Sequence, residues 1–154
     1  MSMKLRPHHL LDIVTEYDPD HPPVPAESGN AVHRIARELP DRLDEPAEFV
    51  IGPDDICAPC RHLQADGRCE RILQRHVPPQ PIDEYNDPLD ARILEYLGMH
   101  EGESMILRAF LQRVAESLPG IEEVCTHPTQ CREDRVAGLR RGLKRLGVGE
   151  PEPS

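Results

Sequence analysis

Five stretches of this sequence repeat apolar residues at the three- and four-residue spacing of an amphipathic helix. We predict helices over His8 to about Tyr17, Ser28 or Asn30 to Leu39, Asn86 or Asp87 to Leu97, Glu103 to Leu118, and about Cys131 to Leu146. Between the second and third of them, Phe49–Ile51 is a short β-favouring run closed by a Gly-Pro turn. The sequence therefore predicts a mainly α fold: a small single domain of about five helices with a short β element and a cysteine-bearing irregular loop.

The composition limits how such a fold is stabilised. The chain has 154 residues, enough for one hydrophobic core, but only 3% of them are aromatic and none is Trp. The core must therefore be built from aliphatic side chains, and a bound metal would add to its stability. We expect one cysteine-rich metal-binding domain over residues 5–147 and a disordered tail over residues 148–154.

The charge and hydropathy of the chain exclude several classes of partner. A net charge of −10 repels nucleic-acid phosphates. The segment from Arg132 to Leu146 carries six basic and two acidic residues, a local charge of +4, which we interpret as the solvated face of the last helix. The N-terminus lacks the apolar stretch of a secretory signal, and no apolar run is long enough to span a bilayer. We expect a cytoplasmic protein without a membrane or nucleic-acid partner.

The cysteines carry the main functional signal. Five cysteines are an odd number, and in a reducing compartment they favour metal ligation or thiol chemistry over disulfides. Cys57 and Cys60 form a CxxC pair that a tight turn can direct at one metal, and Cys69 follows on the same Pro- and Gly-containing loop. We predict that these three thiols bind a metal centre.

A four-iron cluster or a tetrahedral zinc ion requires a fourth ligand besides these three thiols. The sequence offers Cys125, in the loop before the last helix, and Cys131, at the start of that helix. We favour Cys125, although a helix N-terminus would also stabilise a thiolate at Cys131. The predicted cofactor is an iron–sulfur cluster on Cys57, Cys60, Cys69 and Cys125, with zinc as the alternative.

Two histidines near the N-terminus are further candidates. His8 and Asp12 are four residues apart and share a helix face, an arrangement typical of an imidazole oriented by a carboxylate. We therefore assign His8, His9 and Asp12 a supporting or ligating role, with a structural histidine as the equally favoured alternative. His62 and His127 lie beside cysteines and could complete a zinc site instead.

Two motifs resemble a known protein family. They are Arg6-Pro7-His8-His9-Leu10-Leu11 and Gly52-Pro53-Asp54-Asp55-Ile56-Cys57 with Cys60 and Cys69, and the likeness continues through the segment 90–98 to about Cys131. The chain is similar to the small bacterial and archaeal proteins of domain of unknown function 1284. This resemblance implies iron–sulfur binding without an established enzymatic activity.

The chain departs from that family pattern at two places. The family usually has a Cys directly after His-His-Leu-Leu, where this chain has Asp12, and a denser cysteine cluster near the C-terminus than Cys125 and Cys131 provide. Asp12 is then either an oxygen ligand in place of a thiolate or the mark of a lost ligand position.

The leading hypothesis is an iron–sulfur protein with an electron-transfer, redox-sensing or structural role and an unidentified protein redox partner. One alternative is a structural zinc domain that binds another protein or a nucleic acid through the basic last helix. Another is a thiol oxidoreductase that uses the CxxC pair, which the scarcity of strands argues against. The chain lacks the phosphate-binding loop, dinucleotide fingerprint and nucleophile elbow of conventional enzymes, so catalysis is not favoured.

Overall fold

The computed structural model of the protein describes residues 3–73, 78–125 and 130–148. Five α-helices lie within these residues and confirm the predicted mainly α fold of one small domain. In chain order they are α1 (Pro7–Thr15), α2 (Val32–Glu38), α3 (Ile82–Tyr96), α4 (Leu107–Glu116) and α5 (Arg132–Arg145). The cysteine-bearing segment between α2 and α3 is mostly turns and bends, as predicted.

Short strands make up the β element. They are β1 (Met3–Leu5), β2 (Pro46–Phe49), β3 (Ile72–Leu73), β4 (Gln80–Pro81) and β5 (Ser104–Ile106). Strand β2 lies between β1, which runs parallel to it, and β5, which runs antiparallel, with Leu5 opposite Phe49 and Ala47 opposite Met105. Strands β3 and β4 form a separate antiparallel ladder just before α3.

The predicted boundaries of the β element and of the fourth helix were wrong. The β element lies at Pro46–Phe49 instead of 49–51, because its register is set by pairing with β1 and β5. The fourth helix begins at Leu107 and not at Glu103, because Ser104–Ile106 pairs with β2. The spacing of apolar residues within a segment does not reveal that the segment pairs with a strand distant in sequence.

The third helix begins earlier than predicted. Helix α3 starts at Ile82, and Pro88 lies inside it instead of in its first turn. Asp83 and Glu84 supply the acidic first turn that a helix N-terminus favours. Pro88 removes one helical hydrogen bond, the one to the carbonyl of Glu84, and the remaining turns continue past it.

Helix α1 lies at the centre of the core. Its side chains Leu10, Leu11 and Val14 are fully buried, as the sequence predicted, and the helix packs against both α3 and α5. The two Phe rings of the chain, Phe49 and Phe110, stack on each other in the core with centroids 4.0 Å apart. Because α3 and α5 both come from the second half of the chain, α1 joins the N-terminal region to that half.

Helices α1 and α5 approach each other closely at two glycines. A Cβ atom on Gly138 would lie 2.6 Å from Thr15 Cγ2, and one on Gly142 would collide with the backbone carbonyl of Val14. A backbone carbonyl cannot rotate away as a flexible side chain can. These glycines therefore set the distance between the two helices.

No helix in the described part of the chain is long and apolar enough to cross a membrane. Of the predicted disordered tail, Val148 is described and buried, whereas residues 149–154 lie outside the described residues.

We predict that Gly142→Ala lowers the free energy of unfolding by about 2 kcal/mol or more, because the cost of overpacking against α1 exceeds the better helix propensity of Ala. Arg140→Ala, at an exposed position of the same helix, is the matched control and should change stability by no more than about 0.5 kcal/mol. Urea unfolding followed by circular dichroism measures both. Equal stability of Gly142→Ala and wild type would contradict the close helix contact.

Candidate metal centre

The cysteine loop, residues 54–69, begins with Asp54, whose carboxylate holds the loop backbone through hydrogen bonds. Asp54 Oδ1 accepts hydrogen bonds from the backbone N–H groups of Ile56 and Cys57, both at 3.0 Å. The next turn is closed by the Cys60 N–H, which donates to the Cys57 carbonyl at 2.8 Å. This local pattern, an Asp followed by a tight turn, holds both cysteines of the CxxC pair.

The third cysteine returns to the same region through a hairpin-like loop. Leu63 and Cys69 form an isolated antiparallel bridge, and between them the Gln64 N–H donates to the Arg68 carbonyl at 2.8 Å. The Cys69 N–H also donates to Asp83 Oδ2 at 2.8 Å. Since Asp83 belongs to the first turn of α3, that helix fixes where the loop ends.

Most of the predicted site residues line one cavity of about 450 Å³. Its lining includes six of the ten candidates that the sequence singled out: Cys57, Cys60, Cys69, His8, His9 and Asp12. The three cysteines are half-buried. The fold thus brings side chains from α1 and from the cysteine loop, which are more than forty residues apart in sequence, to one concave surface.

His9 is oriented by Asp54. The distance from His9 Nδ1 to Asp54 Oδ2 is 2.8 Å, and the same oxygen accepts the Arg6 N–H at 2.7 Å. Burial would raise the pKa of Asp54, but the hydrogen bond and charge of His9 and the backbone donors lower it to about 2. Because Asp54 is ionised, Nδ1 carries the shared proton. In a neutral imidazole Nε2 is then the nitrogen that can bind a metal.

His8 is oriented in the same way by a different residue. Its Nδ1 lies 2.8 Å from Asp90 Oδ1, and its backbone N–H donates to that oxygen at 2.9 Å. Arg6 Nη1 donates to Asp90 Oδ2 at 3.0 Å and also pairs with Asp87. Asp90 is fully buried and Arg6 nearly so. The predicted pairing of His8 with Asp12 was therefore wrong: the carboxylate comes from α3, whose packing against α1 the sequence did not reveal.

Asp12 bonds instead to a guanidinium of the last helix. Arg135 Nη1 donates to Asp12 Oδ1 at 2.6 Å, and Arg135 Nη2 donates to Cys125 Sγ at 2.8 Å. Cys125 is fully buried, and burial raises the pKa of its thiol to about 11 although Arg135 opposes the shift. Arg135 thus lies between Cys125 and Asp12, and of these two acceptors Asp12 is the one that lines the cavity.

The remaining candidates lie elsewhere. Neither Cys125 nor the exposed Cys131 belongs to the cavity lining that the described residues form. His62 pairs with Glu70 at 2.9 Å on the cysteine loop, outside the cavity. His127, the other zinc alternative, lies outside the described residues.

The environment of Cys57 disfavours its thiolate. Burial and then the nearby charge of Asp54 raise the pKa of the Cys57 thiol to about 12. A redox-active CxxC pair needs a thiolate at neutral pH, which requires a lowered pKa. A metal ion can displace the thiol proton directly, because its own charge stabilises the sulfur anion.

Sequence reasoning did not predict that five charged side chains at and around the cavity are buried. They are Arg6, Asp54, Asp83, Asp90 and Arg135, all less than one-tenth exposed, and Arg6 and Asp83 line the cavity itself. The prediction that the basic residues of the last helix form a solvated face was wrong at Arg135. Two of the five, Arg6 and Asp54, lie inside the two quoted motifs. Their partners are distant in sequence, so only the fold shows which charges meet.

We predict that Asp90→Asn lowers the free energy of unfolding by about 3 kcal/mol, because it removes the buried negative charge that pairs with Arg6 and replaces one of the two acceptor oxygens that Arg6 and His8 use by a donor. Asp87→Asn is the matched control: Asp87 bonds the same Arg6 nitrogen from the same helix, but its side chain is 46% exposed. Its loss should be below about 1 kcal/mol. Denaturant titration distinguishes the two, and equal losses would show that burial does not matter at this pair.

Comparison with known proteins gives one result. No curated protein and no solved structure matches the chain. The model of one protein family, described as a protein of unknown function (DUF1284), matches residues 29–133. The match contains Asp54, Asp90 and the whole cysteine loop, whereas the His8-His9 motif precedes it. Because the match covers more than half of the sequence, the chain belongs to the DUF1284 family.

Proposed function

We propose that this protein binds an iron–sulfur cluster through Cys57, Cys60 and Cys69 and that the cluster serves as a redox centre. The observation that supports this most strongly is the convergence of all three thiols on one cavity. Thiolate sulfur is the usual protein ligand of iron–sulfur clusters. When bound, such a cluster supplies one-electron transfer, which suits either electron transport to a protein partner or redox sensing.

The spread of the sulfurs favours a cluster over a single ion. Zinc–sulfur bonds of about 2.3 Å place tetrahedral sulfur ligands about 3.8 Å apart. Among the described residues, the three cysteine sulfurs do not form a group within 4.8 Å of one another. A four-iron cluster binds each thiolate at a different iron, so its ligands do not need to meet at one point.

The fourth ligand position would belong to a residue other than cysteine. His9 and Asp12 both line the cavity, and Asp54 already holds His9 in the orientation of a ligand. Asp54 itself is a poor ligand because each of its oxygens accepts two hydrogen bonds. Its role would be to position His9 and the backbone of Cys57.

A mononuclear zinc site is the second candidate function, and one observation favours it. Potential ligand atoms of His9, Asp54 and Cys57 lie within 4.8 Å of one another. A nitrogen and a sulfur donor at this distance suit zinc. This site would use only one of the three cysteines that line the cavity, which is why we rank it second.

We predict that protein purified without oxygen contains iron and acid-labile sulfide and shows the broad visible absorption of a cluster. Cys57→Ser, Cys60→Ser and Cys69→Ser should each remove most of both elements, because serine is a poor substitute for thiolate. Cys131→Ser changes an exposed cysteine outside the cavity and should retain them. Elemental analysis and electron paramagnetic resonance measure this outcome.

A zinc site and a protein without metal would each give a different elemental analysis. Colourless protein with one equivalent of zinc, lost in His9→Ala and Cys57→Ser but retained in Cys69→Ser, would replace the cluster with the mononuclear site. Protein without any bound element, even after anaerobic reconstitution with iron and sulfide, would refute the proposed function.

A further inference from the structure

Cys69 is held in place differently from the other two cysteines of the cavity. Cys57 and Cys60 share one tight turn, whereas Cys69 lies nine residues after Cys60 in the sequence. Within the cysteine loop, Cys69 forms a bridge with Leu63. Its backbone N–H donates out of the loop to Asp83 Oδ2 at 2.8 Å. The position of Cys69 therefore depends on the first turn of α3, to which Asp83 belongs.

Asp83 uses both of its carboxylate oxygens in this arrangement. Its Oδ2 accepts the Cys69 N–H, and its Oδ1 lies 3.6 Å from Arg6 Nη2. The Asp83 side chain is only 9% exposed, whereas Glu84, the other acid of this turn, is exposed. An acid near a helix N-terminus stabilises the helix dipole even when it is exposed. The burial of Asp83 and its bond to the cysteine loop are not needed for that effect.

Arg6 connects Asp83 to the carboxylate that holds Cys57. The Arg6 backbone N–H donates to Asp54 Oδ2 at 2.7 Å, and Asp54 Oδ1 accepts the Cys57 N–H at 3.0 Å. The guanidinium of the same residue pairs with Asp83. Arg6 thus contacts two carboxylates, each of which accepts the backbone N–H of a cysteine. This chain of contacts fixes the backbones of Cys57 and Cys69 relative to each other.

We propose that Asp83 is a positioning residue of the metal centre, which together with Arg6 holds Cys69 in place before the metal binds. A ligand that is already in place loses less conformational freedom on binding. Groups that orient a metal ligand without touching the metal typically change the affinity by about 10–100-fold when they are removed. This proposal rests on the proposed function, because it applies to a centre that uses Cys69.

Reconstitution of the full-length chain with iron and sulfide without oxygen, followed by competition with an iron chelator, tests the role of Asp83. Asp83→Ala should bind iron about 10–100-fold less tightly than wild type. Asp83→Asn keeps an oxygen that can accept the Cys69 N–H, so its affinity should be closer to wild type than to Asp83→Ala. Glu84→Ala removes the exposed acid of the same helical turn and should leave the affinity unchanged.

A loss of folding stability alone would not give this pattern. Gly142→Ala acts at the contact of α1 with α5, which does not include the cysteine loop, and should retain the iron affinity of wild type. Asp83→Ala should remain folded, because Arg6 keeps two other carboxylates of α3 as partners. In the metal-free protein, hydrogen exchange at the Cys69 amide should be faster in Asp83→Ala than in wild type, while the amides of α5 exchange as before.

Four results would overturn the positioning role. They are equal iron affinity of Asp83→Ala and wild type, equal losses in Asp83→Ala and Asp83→Asn, equal losses in Asp83→Ala and Glu84→Ala, and unchanged exchange at the Cys69 amide. In each case wild-type protein that carries the cluster would leave the proposed function standing. Wild-type protein that binds no iron would refute the proposed function, and the positioning role with it.

Discussion

The Asp54 carboxylate is the group that joins the cysteine loop to the start of α1. It accepts hydrogen bonds from the Arg6 N–H before α1, from the Ile56 and Cys57 N–H groups of the cysteine loop, and from His9. A buried carboxylate with four donors is satisfied only when all of these segments are in place. One side chain therefore couples the folding of the loop to the position of the N-terminal helix. The thiols of that loop and the imidazole of His9 reach the same cavity as a consequence.

The buried charges around the cavity are mostly acidic. Asp54, Asp83 and Asp90 are buried near it, and the Arg6 guanidinium pairs with Asp83 and Asp90. A thiolate added to this surrounding would be one more negative charge in a region of low dielectric constant. At Cys57, burial and the charge of Asp54 accordingly raise the pKa of the thiol to about 12. The Cys57 thiolate that disulfide exchange requires is therefore disfavoured, whereas a bound metal ion, as we propose, would offset its charge.

The sequence predicted the elements of this protein better than their contacts. Helical spacing located α1, α2 and α5 closely, because Leu10, Ile35 and Leu139 face the core whichever neighbour covers them. Local spacing could not locate β1 or β5, which are three residues long and exist through pairing with β2. At the site, the CxxC pair and the two histidines were visible as motifs. Their carboxylate partners were not, since Asp90 meets His8 across 82 residues of chain.

The position of Cys125 follows from the same long-range packing. The close contact of α1 with α5, which Gly138 and Gly142 permit, brings Arg135 beside Asp12. Arg135 then occupies the space between Asp12 and Cys125 and bonds to both. A buried guanidinium needs these acceptors, because without them its charge would be unpaired in the core. In the described structure Cys125 therefore accepts a hydrogen bond from Arg135 and does not line the cavity. Of the two acceptors of Arg135, Asp12 is the one that reaches the cavity. A centre held by the three loop cysteines, as we propose, would have its non-cysteine side at the wall of the cavity that His9 and Asp12 form.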